Sequence, residues 1–442
     1  MTGREAALKA LSAWRTRDAW SDAALSALTE RGELDAREAA FASRLCYGVL
    51  QNLALLDFTC AAYSSVKPEK MEPRVRDILR ISAYQLMLMD RVPVSAAVNE
   101  AVKLTKKYSN PRAAGLVNAV LRRIAQSAAS DSLPEPMGES PAARLAIRYS
   151  HPQPLVERFI ELLGTDGAER LLAANNAVVP TMLQTNLLKA DAVTAEAALR
   201  EENAAFEKHP WLDGCFLLRG RVEELQAFRN GLVYVQDPVA RLSVMAAGLA
   251  PGMEVLDVCS APGGKSFAAA GFMEGRGRIV SCDVHENKLK RVREGARRLG
   301  IGILETRAMD GKRPDGAFIS AFDAVICDVP CSGLGIIRKK PEIRYKTDIS
   351  GLPQVQYDIL CGAARCVRPG GVLTYSTCTV LPEENSGVID RFLASRDDFA
   401  PERFTLPGPI GECAGSLGLW PHIHGTDGFF ICRMRRKKTS NP

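Results

Sequence analysis

The sequence predicts a multi-domain chain: an all-α N-terminal domain, a small α+β domain, and an α/β doubly wound, Rossmann-like sheet domain. Three observations carry this. Residues 1–126 show the apolar spacing of helices and almost no alternation. From residue 180 helical and strand-like runs mix. From residue 236 short apolar runs alternate with helical stretches, the signature of a parallel sheet joined by crossover helices. The 442 residues suffice for about two to four domains.

In the first domain, residues 1–126, Ala7, Leu8, Leu11 and Trp14 share one helix face. Residues 78–89 are apolar nearly all round, which predicts a central buried helix. Leu116, Val117, Val120, Leu121 and Ile124 repeat at helical spacing, and Pro93 and Pro111 mark breaks before helices. No fixed period recurs, so the domain reads as a compact bundle and not a solenoid. Lys103, Lys106, Lys107, Arg112, Arg122 and Arg123 lie in a stretch without an acidic residue. Such a run is either a solvated face or a phosphate-contacting patch. Residues 127–142, rich in Ser, Pro and Ala, read as a linker. Residues 143–235 read as a helical connector, starting a new helix at Tyr149, and the small α+β domain: strand at 181–188, helix at 193–202, strand at 231–237.

The sheet domain, residues 236–442, is organised around residues 254–265. Val255, Leu256 and Val258 form a strand-length apolar run, Asp257 lies near its end, and Ser260-Ala-Pro-Gly-Gly264 turns the chain into a helix. Strand, glycine turn, helix is how an open sheet offers a cofactor its carboxyl edge, and Gly263 and Gly264 permit close approach of a ligand. Gly264-Lys265-Ser266 resembles the end of a P-loop, but Cys259 stands where that loop needs glycine. The dinucleotide fingerprint is absent too. The second strand, from Arg278, ends in Asp283, placed to accept from ribose hydroxyls. A ribose acid without a diphosphate site points to S-adenosylmethionine. Further strands are read at residues 303–308, 322–327, 372–378 and 428–434, and helices at 286–299, 353–367 and from Pro382; Arg433 onwards reads as a basic tail.

The net charge of +6 is mild, so nucleic-acid affinity must come from local patches. No run approaches the ~18 apolar residues of a membrane helix, and the start has no secretory pattern. The 12 cysteines include no C-x-x-C pair, which argues against a metal site and a disulfide framework. The expectation is a cytoplasmic monomer with no metal and no membrane.

Two cysteines stand apart. Cys331, after the fourth strand, and Cys378, ending the fifth, lie in polar, turn-forming sequence, whereas Cys282, Cys327, Cys361 and Cys366 read as core residues. Paired thiols beside a methyl donor imply pyrimidine chemistry. A thiolate adding to carbon 6 turns carbon 5 into a nucleophile able to take the methyl group, after which a base removes the carbon-5 proton and the enzyme is expelled. Free thiol titrates near pH 8.5, about, so the site must assist; Asp328 can stabilise charge developing on the ring, and Lys265 adds positive potential. Which cysteine attacks stays open on the residues alone.

Arg4-Glu-Ala-Ala-Leu8, Val92-Pro-Val-Ser-Ala-Ala-Val-Asn-Glu-Ala-Val102 and Gly115-Leu-Val-Asn-Ala-Val-Leu-Arg122 resemble the NusB family of helical RNA binders. Asp257-Val-Cys-Ser-Ala-Pro-Gly-Gly-Lys265, Asp283, Asp310, Asp328-Val-Pro-Cys331-Ser-Gly, Ser376-Thr-Cys378-Thr and Asp427-Gly-Phe-Phe430 resemble RNA cytosine-C5 methyltransferases. From residue 4 to about 432 the chain resembles the RsmB (Sun, Fmu) family, which methylates a cytosine of 16S ribosomal RNA. The resemblance implies a small domain of RRM-like kind and a donor held by Cys259, Ser260, Ala261, Pro262, Gly263, Gly264 and Lys265 with Asp283, Asp310 and Asp328. It implies Cys378 as nucleophile, Cys331 as the residue assisting release, and small-subunit ribosomal RNA as partner. Val329, Leu334 and Gln184 depart from the family pattern; Gln184 replaces an arginine, which bears on an RNA contact. A transfer-RNA methyltransferase, or an RNA-binding scaffold with an inactive enzyme half, are the alternative expectations.

Overall fold

The computed structural model describes residues 1–17, 21–346 and 349–438. It divides into two compact units: Met1–Ala177 with Lys340–Lys346, and residues 178–339 with 347 onward.

Unit 1 is helical: α1 (Gly3–Arg17), α2 (Ser21–Glu30), α3 (Ala36–Gln51), α4 (Leu53–Tyr63), α5 (Pro73–Leu88), α6 (Val94–Tyr108), α7 (Ala114–Ala129), α8 (Pro141–Tyr149) and α9 (Gln153–Asn175). Ile78, Leu79 and Ile81 of α5 join one core with Val49 and Leu50 of α3 and Val117 and Leu121 of α7. The expectation of a helix apolar nearly all round needs correction. Buried Arg80 binds Asp57 at 2.6 Å and buried Asp77 at 2.9 Å, a pair tolerated inside because each charge has its partner. The last turn also emerges, with Leu88 41% exposed. The helical stretch expected from Tyr149 through Leu172 is α9, which starts at Gln153; the expectation missed α8 before it, which Tyr149 ends and which starts at Pro141, where Ser140 accepts from Ala143 N–H (3.1 Å) and Pro141 suits the first turn. Lys340–Lys346 belongs to this unit. Its Tyr345 hydroxyl donates to Leu50 O (2.9 Å), and its ring meets Trp14 edge-on at 5.6 Å.

The basic run is partly neutralised, because Lys103 pairs with Glu100 (2.8 Å) and Lys107 with Glu5 (2.6 Å). Lys106, Arg112, Arg122 and Arg123 are exposed.

In unit 2, β1 (Thr181–Thr185), β2 (Phe206–Lys208), β3 (Cys215–Leu218) and β4 (Val233–Val235) form an antiparallel sheet ordered β2-β3-β1-β4. Helices α10 (Ala192–Glu201) and α11 (Gln226–Arg229) accompany it. Leu183, Leu199, Phe216 and Val233 fill its core. Strands β2 and β3 carry three and four residues, too few to show a period in the sequence.

Helix α12 (Pro238–Ala247) leads into the large sheet. Its strands are β5 (Glu254–Asp257), β6 (Arg278–Asp283), β7 (Leu304–Ala308), β8 (Phe322–Asp328), β9 (Val367–Thr377), β10 (Phe399–Pro401), β13 (Ser416–Leu419) and β14 (Phe429–Arg436), with β11 (Phe404–Leu406) and β12 (Gly411–Cys413) as a separate hairpin. Helices α13 (Gly264–Phe272), α14 (Glu286–Leu299), α15 (Leu352–Cys366), α16 (Ser386–Ser395) and α17 (Pro421–His424) connect them. The order is β10-β14-β9-β8-β5-β6-β7, with β13 on β14. The strands β5 to β9 run parallel, while β14 is antiparallel to β9, so the expected parallel sheet is mixed. Residues Arg433 and Arg435, expected in a basic tail, are strand residues of β14, and both bond Glu402 (2.6 and 2.5 Å). The chain leaves β5 for β6 and β7 on one side and returns to β8 on the other. That reversal opens a crevice at the carboxyl ends of the strands.

Candidate active site

Asp257 ends β5 fully buried. Ser266 donates its hydroxyl to Oδ2 (2.7 Å), Ser281 donates to Ser266 (2.7 Å), and Oδ1 has no partner. Burial, partly offset by the Ser266 bond, pushes the Asp257 carboxyl up to about 7. Its unfolded value is about 3.9, so the folded state holds this proton more tightly. Stability from this group is therefore full below about pH 4 and is lost as pH rises through 7, by about 4 kcal/mol in all. Melting measured at pH 5 and pH 8 should show a larger loss for the wild type than for Asp257→Asn, whose amide stays neutral; equal losses would contradict this.

The glycine turn is closely packed by its neighbours. Gly263 adopts φ +111°, and a Cβ there would sit 2.4 Å from the Phe267 ring. A Cβ on Gly264 would meet Gln236 at 3.2 Å. The glycines thus answer to neighbouring side chains, and Gly263 N–H donates to Ser260 O within the turn (2.7 Å).

A cavity of about 480 Å³ opens at the carboxyl edge of the sheet. Of the expected donor residues, Cys259, Ala261, Asp283, Asp310 and Asp328 line it, together with Cys331 and Cys378. Ser260, Pro262, Gly263, Gly264 and Lys265 do not. Asp283 Oδ1 accepts from His285 N–H (2.9 Å), and Asp310 Oδ1 from Lys312 N–H (3.0 Å), so both carboxyls are fixed by the turns that follow them. The walls add Val258, Val284, His285, Met309, Val355 and Ile359, none of which the sequence reading found. Apart from His285 they are ordinary apolar residues of strand ends and α15, and only Val284, apolar beside Asp283 yet 60% exposed, is out of keeping with its surroundings.

The two thiols meet at the cavity, with Cys331 Sγ and Cys378 Sγ 3.2 Å apart. The bond to Cys378, then burial, pushes the Cys331 thiol well above its ordinary range. Asp328 stands beside them. Ser376 donates to its Oδ1 (2.7 Å), and the Lys265 ammonium to its Oδ2 (2.7 Å), which places the charge the sequence left unplaced. Burial works against the Lys265 charge, but the Asp328 charge and hydrogen bond outweigh it and raise its pKa. The loop after Cys331 is clamped to the Cys378 strand. Gly335 N–H donates to Cys378 O (2.9 Å), Gly428 N–H donates to Gly335 O (2.8 Å), and a Cβ on Gly335 would lie 1.9 Å from Gly428 O. Asp427, next to that contact, binds Arg338 and Lys339 (both 2.7 Å).

Gln184 is fully buried, donates to Gln236 O (3.3 Å) and accepts from Arg241 (3.0 Å). It braces the small domain and offers nothing to a phosphate; Arg241 keeps a guanidinium at that place. Among the described residues no cluster of His, Cys, Asp or Glu could hold a metal ion, and no single helix is long and apolar enough to cross a membrane.

Residues 245–435 match the family model "16S rRNA methyltransferase RsmB/F", residues 1–126 the NusB family, and residues 151–223 the ferredoxin-like domain of RsmF/B-like methyltransferases. The chain is 35% identical to the "Probable ribosomal RNA small subunit methyltransferase B" of Bacillus subtilis (strain 168), over 98% of each chain. It is 31% identical to the "Ribosomal RNA small subunit methyltransferase B" of Vibrio cholerae, covering 84% of this chain and 87% of that one. Among solved structures, PH0851 superposes with a TM-score of 0.80 at 26% identity over 98% of each chain. A methyltransferase homolog from Pyrococcus horikoshii gives 0.58 at 28% identity, covering 68% of this chain and 100% of that one.

Proposed function

Because the chain belongs to the RsmB/F family of 16S rRNA methyltransferases, we propose that it methylates carbon 5 of a cytosine in small-subunit ribosomal RNA, through a covalent adduct of Cys378 with carbon 6. The observation that carries this reading is the 3.2 Å approach of the two thiols at the mouth of the carboxyl-edge cavity.

The cavity suits S-adenosylmethionine. Its volume lies within the usual range of small-ligand sites, about 300–1,000 Å³. Met309, Ile359 and Val258 offer apolar walls for a base, and Asp283 offers ribose hydroxyls an acceptor. Residues Cys259, Ala261, Asp310 and Asp328 complete the set that would hold it, with Ser260, Pro262, Gly263, Gly264 and Lys265 shaping the turn. When bound, this donor supplies an electrophilic methyl group.

Cys378, its proton given up to solvent, adds to carbon 6 as a thiolate, and the ring's electron pair moves to carbon 5, which then forms its bond to the methyl group. Asp328, fixed by Ser376 and Lys265, keeps a free lone pair on each oxygen and accepts from the N4 amino group of the cytosine, which orients the ring. Cys331, 3.2 Å from Cys378, stands beside the adduct and, once its own proton has passed to solvent, takes the carbon-5 proton as thiolate. The carbon–sulfur bond then breaks and Cys378 leaves as thiolate. On this reading residues 1–126 bind RNA, residues 127–142 link, residues 143–235 form connector and small domain, and residues 236–442 perform the chemistry.

Asp283→Ala should weaken donor binding by about 1–3 kcal/mol, the cost of leaving polar partners unpaired; unchanged affinity by calorimetry would remove Asp283 from the site. Arg112, Arg122 and Arg123 changed to Glu should weaken RNA binding and flatten its salt dependence by about one unit of slope per lost phosphate contact. An unchanged slope would leave these residues a solvated face. Label from a methyl-tritiated donor, followed through nucleoside digestion, should appear as 5-methylcytidine from 16S ribosomal RNA. Label in transfer RNA alone would overturn the substrate, and no label in either would overturn the enzyme.

A further inference from the structure

We propose that Glu384 and Asn385 are positioning residues that set the distance between the two thiols, a proposal that rests on the covalent reading above. Each cysteine is held on both sides by buried side chains. Gln356 of α15 donates one amide hydrogen to Pro330 O (3.0 Å), the residue before Cys331, and the other to Glu384 Oε2 (2.8 Å). That same oxygen accepts from the N–H of Ser332, the residue after Cys331 (2.9 Å). Asn385 does the corresponding work for Cys378. Its Oδ1 accepts the hydroxyl of Thr377 (2.5 Å), and its Nδ2 donates to the carbonyl of Thr379 (3.1 Å). Adjacent residues of one turn therefore grip both cysteines.

A third connection joins the two grips directly. The Ser332 hydroxyl lies 2.5 Å from Glu384 Oε1 and 2.8 Å from Thr379 Oγ1. It has one proton to give. The carboxylate can only accept, so Ser332 donates to Glu384 and receives from Thr379. A hydrogen-bonded chain thus runs from the residue after one thiol, through the residue after the other, to Glu384. Glu384, Gln356, Thr377 and Thr379 are fully buried, so water does not compete for these bonds. Carbon 5 and carbon 6 of a pyrimidine are neighbours, and the two sulfurs must address them from one place. An error of about 1 Å in such an arrangement can cost about 10²-fold in rate.

The sulfur separation can be read without RNA or donor. Diamide takes one hydrogen from each thiol onto its azo bond and leaves a disulfide, located by mass spectrometry in the full-length protein. Glu384→Ala should slow Cys331–Cys378 disulfide formation at least about tenfold, and single-turnover methyl transfer by a similar factor, with donor affinity within about twofold of wild type. Glu384→Gln, which keeps an acceptor, should recover part of both rates. Thr379→Val removes only the connecting hydroxyl and should slow both reactions to a lesser degree. Wild-type rates of disulfide formation and methyl transfer in Glu384→Ala and Thr379→Val would overturn the proposal. If Glu384→Ala also loses donor affinity, Thr379→Val decides alone: slower disulfide formation supports the positioning role, and an unchanged rate overturns it. If diamide separates the variants as described while even the wild type methylates no cytosine, the covalent reading falls and the positioning role stands.

Discussion

Cys378→Ala is expected to lower methyl transfer to RNA by roughly 10⁴-fold or more, the scale seen when a covalent nucleophile is removed. Without the sulfur at carbon 6, carbon 5 stays a poor nucleophile, and no neighbouring group replaces the lost bond. Alanine fills less space than cysteine at a half-buried site, so the fold and the donor cavity should persist. Calorimetric donor affinity within about twofold of wild type, beside lost turnover, would separate chemistry from binding. Turnover within about tenfold of wild type would remove Cys378 from the reaction.

Arg344→Met should destabilise unit 1 by about 3–5 kcal/mol, from two buried acceptors left unsatisfied. Arg344 is fully buried, and its guanidinium fans onto the carbonyls of Gln51 (3.2 Å), Tyr149 (3.1 Å) and Ser150 (3.1 Å) and onto Asn176 Oδ1 (2.9 Å). Burial lowers its pKa to about 10, which still leaves it charged at neutral pH. Methionine matches its length but leaves Gln51 O and Asn176 Oδ1 without that donor, at about 1–3 kcal/mol for each unsatisfied group before relaxation, while Tyr149 O keeps the Asn176 amide (2.9 Å) and Ser150 O the Tyr345 hydroxyl (3.2 Å). Calorimetric melting should show the helical unit unfolding roughly 10 °C lower. A shift under about 2 °C would mean that water or neighbouring groups satisfy those carbonyls.

The sequence announced the parts of the site whose residue type was at odds with their surroundings. Cys331 and Cys378 lie in polar turns where a packing thiol is out of place, and Asp283 and Asp328 close the largely apolar runs Ile279–Cys282 and Ala324–Cys327. What stayed hidden was set by partners distant in sequence. At Gly263 the Phe267 ring leaves no space for a side chain, a requirement the turn's own sequence does not display. Lys265 could not be aimed until β8 brought Asp328 within 2.7 Å. The antiparallel β14 escaped because an antiparallel and a parallel strand look alike along the chain, and Arg433 and Arg435 imitated a solvated tail until Glu402 was seen to hold them. Arg344 gave no sign of its burial, since an arginine satisfied by carbonyls needs no acidic neighbour in the sequence.

The order of bond changes provides the most direct test. On the proposed mechanism Cys331 acts after methyl transfer, so Cys331→Ala should attack, methylate once and remain attached to its RNA. On a denaturing gel with labelled 16S ribosomal RNA and donor, Cys331→Ala should give a retarded, heat-stable band that Cys378→Ala lacks. A band with Cys378→Ala and none with Cys331→Ala would exchange the two roles, and inactivity of both without any trapped RNA would contradict release through a second thiol.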